Sequence, residues 1–386
     1  MDNLFIESGH AGVNKHGESL CGDSFHLTRG SGKLTAVLSD GLGSGVKANI
    51  LSTLTAKMLS NLMSSGKISV EECIETMAST LPMCKERRLA YSTFTLAQIE
   101  GGRLRLVQYD NPGAVLLRQG KHIDYQTSVR FVGEKEIHES VISLQENDML
   151  LLMTDGVTNA GVGKLMPDGW KRSDIIQCLE RWYEPGLSPQ RLAAELVNAS
   201  LSLCLDSPDD DITVLALKMR GRQAVNLMIG PPANPEDDGR ILKLFFAKEG
   251  LHVISGGTTA QIVSRYLNKP IVPVADSGTE EVPAIAAIEG TDLVTEGVIT
   301  LQCVTQLAEK YADNNHVLDS GAEINGVTRL ASLLFEQATD INIFAGQAVN
   351  EAHAELDIGF SAKRGLINRL VRSLTQMGKN VKVSYC

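Results

Sequence analysis

Basic excess is the first thing this 386-residue chain lacks: 36 Lys and Arg stand against 46 Asp and Glu, a formal net charge of -10. No long basic run interrupts that balance, which argues against non-specific nucleic-acid binding. No apolar run reaches the ~18 residues of a membrane span. The start, "MDNLFIESGH", has no basic segment followed by an apolar stretch, so no secretory leader is expected. Paired cysteines are also missing. Cys21, Cys73, Cys84, Cys178, Cys204, Cys303 and Cys386 are odd in number, scattered, and free of any CxxC spacing. Neither a disulfide framework nor a thiolate zinc site is expected, and small buried thiols in a cytoplasmic protein are. There is no convincing long-period repeat and no low-complexity linker.

What is present is a globular composition, 43% hydrophobic and 21% charged, over a length that predicts two domains. Up to about residue 220, "KLTAVLSD" reads as a strand and is followed by two helices, the second capped at Ser69 with acidic residues in its first turn. "STFTLAQIE" and "GGRLRLVQYD" predict a hairpin, and "AVLLRQGKHIDYQ" bends at Gln-Gly-Lys. "DMLLLMTDG" is apolar throughout, as a central strand would be. Helices near 172–183 and 188–204 precede a closing strand, "DDITVLALKM". This order predicts an α+β domain over 1–221 with two sheets flanked by helices.

From 222 to 386 strands and helices alternate. "AVNLMIG", "LHVISG", "IVPV", "INIFAG" and "NVKVSYC" read as strands, and a basic amphipathic helix near 361–377 turns Leu366, Ile367, Leu370, Val371 and Leu374 inward. A smaller α/β domain with a mostly parallel sheet is expected, as a ligand-sensing or dimerising module. "TDLVTEGVITLQCVTQLAEKYADN" reads as one long helix.

Four aspartates share one setting, at the start or end of an apolar β-like run: Asp23 in "GDSF", Asp40 in "LSDG", Asp155 in "MTDG" and Asp210 in "DDDITV". An aspartate there is ordinarily a turn former. Four in one domain, two of them followed by glycine, point to a site for hard divalent cations, which take carboxylate and carbonyl oxygens. Glycine after the aspartate would let the chain turn tightly. "LSDGLGSG" thus reads as a metal turn, a phosphate-cradling glycine loop or a plain corner, and the residues by themselves leave all three standing.

"GDSF", "LSDGLGSG", "STFTLAQIE", "NPGAVLLRQGK", "LLMTDGVTNA" and "DDDITVLAL" occur in the order found in PPM-type (type 2C) metal-dependent protein serine/threonine phosphatases. The chain resembles most the bacterial branch with SpoIIE and the Rsb phosphatases, over residues about 8–218. The resemblance implies an antiparallel β-sandwich between helix pairs, holding two Mn²⁺ or Mg²⁺ ions. Carried over by position, Asp40 would bridge the metals, Gly41 would offer its carbonyl, Asp23 would help hold one side, and Asp155 and Asp210 the other. Asp209 and Asp211 rival Asp210. A water activated between the ions, with Asp40 and Asp155 acting through it, would attack phosphorus without a phosphoenzyme. The two helices after "DGLGSG" correspond to a regulatory switch in that branch.

The arginine with which eukaryotic members grip phosphate has no counterpart in "HAGVNKHGESLCGD", which leaves Lys15 and His16 as substrate-binding candidates. Asn111 and Pro112 read as a plain turn. The implied substrate is a phosphoprotein of the anti-anti-sigma type, with a metabolite phosphatase and a non-catalytic scaffold as rivals. In the C-terminal domain, "HVISGGTTAQIV" and "AAIEGTDLVTEGV" both read as strand, glycine turn and helix start, placing a small anionic ligand near Gly256, Gly257, Thr258 and Thr291. Neither stretch matches GxGxxG or a P-loop, so ordinary capped turns remain the alternative.

Overall fold

A computed structural model describes residues 4–30, 32–64, 68–80, 92–133, 135–275, 277–278, 284–313, 325–348 and 360–386. Its contacts divide the chain into two compact units, Met1–Gly221 and Arg222–Cys386.

The first unit opens with three strands, β1 (Leu4–Val13), β2 (Asp23–Gly30) and β3 (Lys33–Gly41), and two helices, α1 (Gly45–Ser64) and α2 (Val70–Thr80). There follow β4 (Ser92–Glu100), β5 (Arg103–Tyr109), β6 (Val115–Arg118), β7 (Lys121–His122), β8 (Ser128–Val132), β9 (Lys135–Ser143) and β10 (Met149–Met153). A single turn, α3 (Asp155–Thr158), then α4 (Arg172–Trp182), α5 (Pro189–Leu203) and β11 (Ile212–Gly221) complete it. The strands form two antiparallel sheets, ordered β1-β11-β10-β6-β7 and β2-β3-β4-β5-β9-β8.

Alternation along the strands explains how these sheets are held. Leu34, Ala36 and Leu38 of β3, with Ile99, Leu104 and Leu106, share one buried cluster with Leu116, Leu150, Leu152, Leu215 and Leu217 of the other sheet. Val37, on the opposite face of β3, instead packs with Ala56, Leu59 and Met63 of α1. The expected hairpin turns through Gly101 and Gly102, both at positive φ, and the Gln119-Gly120 bend does the same. Ser69 and Glu72 form a reciprocal capping box ahead of α2, with Glu72 N–H donating to Ser69 Oγ at 3.1 Å.

The second unit holds β12 (Ala224–Ile229), α6 (Asp238–Phe246), β13 (Leu251–Ser255), α7 (Gly257–Leu267), β14 (Val272–Pro273), β15 (Ala286–Ala287) and β16 (Leu293–Thr295). It continues through α8 (Val298–Asp313), α9 (Gly326–Ala331), β17 (Asp340–Ala345), α10 (Phe360–Gln376) and β18 (Asn380–Tyr385). Strands β16, β13, β12, β17 and β18 are parallel in that spatial order, with β15 and β14 added antiparallel at one edge. Val225 and Leu227 of β12 face a cluster with α8, α9 and α10, and Met228 faces one with α6 and α7. The sheet is therefore covered on both faces, as parallel sheets are. Ile367, Leu370 and Leu374 are buried in that first cluster, with Leu366 and Val371 packed against it.

One expectation is corrected here. "TDLVTEG" is not the start of the long helix: Leu293–Thr295 pair in parallel with Val253–Ser255 as β16, and α8 begins only at Val298. All three residues are buried, two of them β-branched, and Gly297 separates them from the helix. Thr291 therefore lies in the turn before β16, its Oγ1 donating to the Ile288 carbonyl, and not at a helix N-terminus.

Among the described residues no helix is long and apolar enough to cross a membrane. Cys21, Cys73, Cys178, Cys204, Cys303 and Cys386 are free thiols; Cys84 lies outside the described residues.

Candidate functional site

The inner face of β3 runs Leu34, Ala36, Leu38 and then Asp40 at the same two-residue period. On β11 the inner run Met219, Leu217, Leu215 ends in Thr213, with Asp211 one step further. The apolar layer between the sheets thus gives way, at one end, to carboxylates and hydroxyls. Asp40 lies opposite Asp23 on one side and Thr93 on the other, so the three side chains share a face. Thr154 follows β10 at the same end. Its hydroxyl donates to Asp23 Oδ2 at 2.8 Å and accepts from Thr213 N–H at 3.0 Å, tying the two sheets together.

Charge accumulates here. Burial pushes the Asp40 carboxyl up to about 8, and the neighbouring Asp155, Asp210 and Asp211 push it the same way. Asp23 is held well above its ordinary range by burial and by Asp40. Asp210 is raised by burial and by Asp155, with Lys15 offsetting part of the charge. Two buried oxygens, Asp23 Oδ1 and Asp155 Oδ1, have no hydrogen-bond partner. A buried carboxylate oxygen without a donor is costly unless a cation meets it. Among the described residues, no group of three or more His, Cys, Asp or Glu side chains is arranged to hold a metal ion.

The three consecutive aspartates differ sharply. Asp209 is exposed and ion-paired with Lys164 at 2.8 Å. Asp211 is buried, with Oδ1 accepting from Lys15 N–H at 3.0 Å and Oδ2 from Gly22 N–H at 2.8 Å. Asp210 lies between them, half-buried, beside Asp155. Lys15 is thereby fixed at the rim through its backbone, while His16 is exposed and donates its N–H to the Pro208 carbonyl.

Gly41 and Gly156 are required by close approach; neither has a positive φ. A Cβ on Gly41 would stand 2.0 Å from the Ala48 carbonyl of α1, and one on Gly156 would stand 2.0 Å from that of Asp211. The sharp turning belongs to Gly43 (φ 100°) and Gly45 (φ 65°).

Several residues escaped the sequence reading. Ser44 Oγ donates to Glu18 Oε1 at 3.1 Å, and Glu18 Oε2 would meet a Cβ on Gly45 at 2.7 Å. The start of α1 thus carries the chain's own carboxylate, which argues against a phosphate cradle there. Asn111 accepts from Thr93 Oγ1 and donates to Thr95 Oγ1, linking the supposed plain turn to the strand beside Asp40. A cleft of about 310 Å³ opens beside Asn111, between Gln108, His122, Tyr125, His138 and Arg172. Burial pushes the Cys21 thiol up, and Asp23 and Asp211 add to this, so it stays protonated and is a poor nucleophile. The Ser44–Glu18, Asn111–Thr93 and Asn111–Thr95 contacts have no local spacing signal, since each joins residues distant in sequence.

Residues 30–220 match the family described as Stage II sporulation protein E (SpoIIE). The chain is 24% identical over 223 residues to Stage II sporulation protein E of Bacillus subtilis, a match covering 55% of this chain and 26% of that protein. It is 38% identical over 77 residues to the phosphoserine phosphatase RsbX of Bacillus subtilis, covering 20% of this chain and 39% of RsbX. Solved structures of both align with the chain. The PP2C phosphatase domain of Bacillus subtilis SpoIIE with a fragment of its regulatory domain gives a TM-score of 0.49 at 22% identity, covering 58% of this chain and 66% of that one. RsbX in complex with magnesium gives 0.40 at 21% identity, covering 55% and 95%. The chain thus spans well under two thirds of the length of the curated relatives it matches.

Proposed function

We propose that the N-terminal unit is a divalent-cation-dependent phosphatase that hydrolyses phosphoserine or phosphothreonine on a regulatory protein. The observation that carries this reading is the carboxylate edge: Asp40 pushed up to about 8 by burial and three neighbouring carboxylates, beside unpaired buried oxygens on Asp23 and Asp155. Oxygen-only donors in excess negative charge fit Mn²⁺ or Mg²⁺ better than a softer metal. The names of the two relatives, one of them a phosphoserine phosphatase, support the reaction. The two antiparallel sheets are read as the sandwich that the resemblance implies.

Asp40, Asp155 and Asp210, with Asp23 behind them and the Gly41 carbonyl, would hold the ions. When bound, two such cations supply a water of lowered pKa and neutralise charge on the phosphoryl group. The chain's own part is positioning. Thr154 locks Asp23, and Asp211, gripped by two backbone amides, fixes the Lys15–Gly22 loop against the start of β11. Asp210, whose Oδ1 accepts from the adjacent Asp211 N–H at 3.0 Å, is the carboxylate of the triplet that we read as the cation's ligand. Lys15 at the rim is the candidate for the substrate's phosphate, and the cleft beside Asn111 for the polypeptide that carries it.

The test is hydrolysis of p-nitrophenyl phosphate and of phosphoserine peptides with Mn²⁺ or Mg²⁺, against chelator and against Asp40→Asn. Turnover that survives chelation, or that is equal in the variant, would defeat the proposal. No turnover of any substrate would favour a scaffold, and turnover of phosphorylated metabolites alone would favour the metabolite phosphatase.

A further inference from the structure

In the second unit, we propose that the turn from β13 into α7 is a binding site for a phosphoryl group. It lies at the carboxyl edge of the parallel strands, where such sheets bind ligands. Gly256 precedes the helix at φ 121° and ψ 133°, and no side chain caps the 11-residue α7. The internal ladder begins with Ala260 N–H donating to the Gly256 carbonyl at 2.9 Å. The amides of Gly257, Thr258 and Thr259 precede it, at the positive end of the helix dipole.

A helix start alone would carry little, but Thr259 adds an independent sign. It is 1% exposed, and its Oγ1 has no hydrogen-bond partner. That oxygen lies 3.2 Å from the point a Cβ on Gly256 would occupy, so it is aimed into the turn. Gly297 closes the other side without a side chain, its Cα 4.0 Å from that same point. A Cβ on Gly257 would meet nothing within 4 Å, so the approach is open.

The neighbouring helix behaves differently: Glu296 Oε2 accepts from Ile299 N–H at 3.2 Å, so the chain's own carboxylate serves the start of α8. Three amides and a hydroxyl at one turn suit the oxygens of a phosphoryl group, supplied by free phosphate or by a phosphomonoester. The proposed site retains Gly256, Gly257 and Thr258 from the sequence reading, and takes Thr259 and Gly297 in place of Thr291.

The test is calorimetric titration of the full chain with inorganic phosphate, in chelator so that no cation draws phosphate to the carboxylate edge. Saturable binding is expected. It should weaken about tenfold in Thr259→Val, the loss of one hydrogen bond to a charged group, and similarly in Gly257→Pro, which removes an amide at a helix position that tolerates proline. Hydrolysis of p-nitrophenyl phosphate by these variants should match the native chain. AMP as a second probe separates the sources: tighter binding than phosphate assigns a phosphomonoester, and equal binding assigns free phosphate. No saturable binding, or native affinity in both folded variants, overturns the site whether or not the first unit is a phosphatase.

Discussion

Asp23 and Asp40 stand directly opposite each other across the β2–β3 pair, two carboxylates on the face that is apolar everywhere further along β3. Like charges directly opposite weaken a strand pair. With Asp155, Asp210 and Asp211 crowding the same end, the fold concentrates repulsion where a core would ordinarily continue. Such a cost is common at functional sites, because a ligand can relieve it.

Without metal, stability should therefore fall as pH rises. Asp40 keeps its proton up to about 8 when folded, against an ordinary value of 3.8. Between those values the native state binds the proton that the unfolded chain has released, so the contribution is largest at low pH and is lost up to about 8. Burial pushes His10 down to about 4, from 6.5, and its opposite effect is confined below 6.5. Denaturant unfolding in chelator at pH 6.5 and 8.5 should show the native chain losing stability and Asp40→Asn losing less. At pH 8.5 the variant should be the more stable by roughly 1 to 3 kcal/mol, the scale of an uncompensated buried group, although it should lose activity. A native chain that grows more stable across this window would contradict the account.

Divalent cations should reverse that penalty. At one hundred times its dissociation constant, an ion binding only the native state adds ~2.7 kcal/mol, a melting shift of about 5 to 10 °C for a unit of this size. Mn²⁺ or Mg²⁺ should bind more tightly at pH 8 than at pH 6, because the carboxyls must first lose their protons. Asp155→Asn should abolish the shift. An equal shift in that variant would place the ion elsewhere.

Thr154 is the predicted weak point of the positioning. Thr154→Val leaves Asp23 Oδ2 and the Thr213 amide without their partner, at a cost of about 1 to 3 kcal/mol and a fall in kcat with little change in KM. Thr154→Ser should restore both. If valine leaves kcat intact, the Thr154–Asp23 bond has no part in the site.

How much of this was legible follows from range. The aspartates at strand ends stood out because a run of alternating or uniform apolar residues marks where each strand stops, and that periodicity is local. Asp23 and Thr154 are 131 residues apart, and their bond has no periodic signature. Strand β1 went unread because Glu7, Gly9 and His10 interrupt its apolar pattern: Gly9 clears the backbone of Gln190, and Glu7 pairs with Arg220 at 3.0 Å. Three-residue β16 was absorbed into the following helix because it is too short to show a period.

Gly41 and Gly156 provide a further test of packing against turning. Gly156→Ala and Gly41→Ala place a methyl within 2.0 Å of backbone carbonyls and should each cost upward of about 3 kcal/mol. Gly43→Ala meets no atom within 4 Å but sits at φ 100°, and should cost about 1 kcal/mol by strain. The order would invert if turning were the main need at positions 41 and 156. Thermal melts of the three soluble variants, or their yields where folding fails, decide between them.

The sharpest test of the site separates neighbours in "DDDIT". The Asp210 side chain accepts from the amide of its neighbour Asp211 at 3.0 Å, whereas both oxygens of Asp211 accept from amides almost two hundred residues away, at Lys15 and Gly22. Asp210→Asn should keep or slightly raise metal-free stability, since it removes a charge from a repulsive edge, while metal affinity falls at least tenfold. Asp211→Asn should do the reverse to the fold. One oxygen is replaced by an NH₂ facing an amide donor, and a buried donor left unpaired costs about 1 to 3 kcal/mol. Lys15 would lose its anchor with it, raising KM for phosphopeptides before kcat changes. If Asp211→Asn costs affinity for the ion and Asp210→Asn does not, the carboxylate that binds the cation is Asp211, and the loop carrying Lys15 is held through the metal.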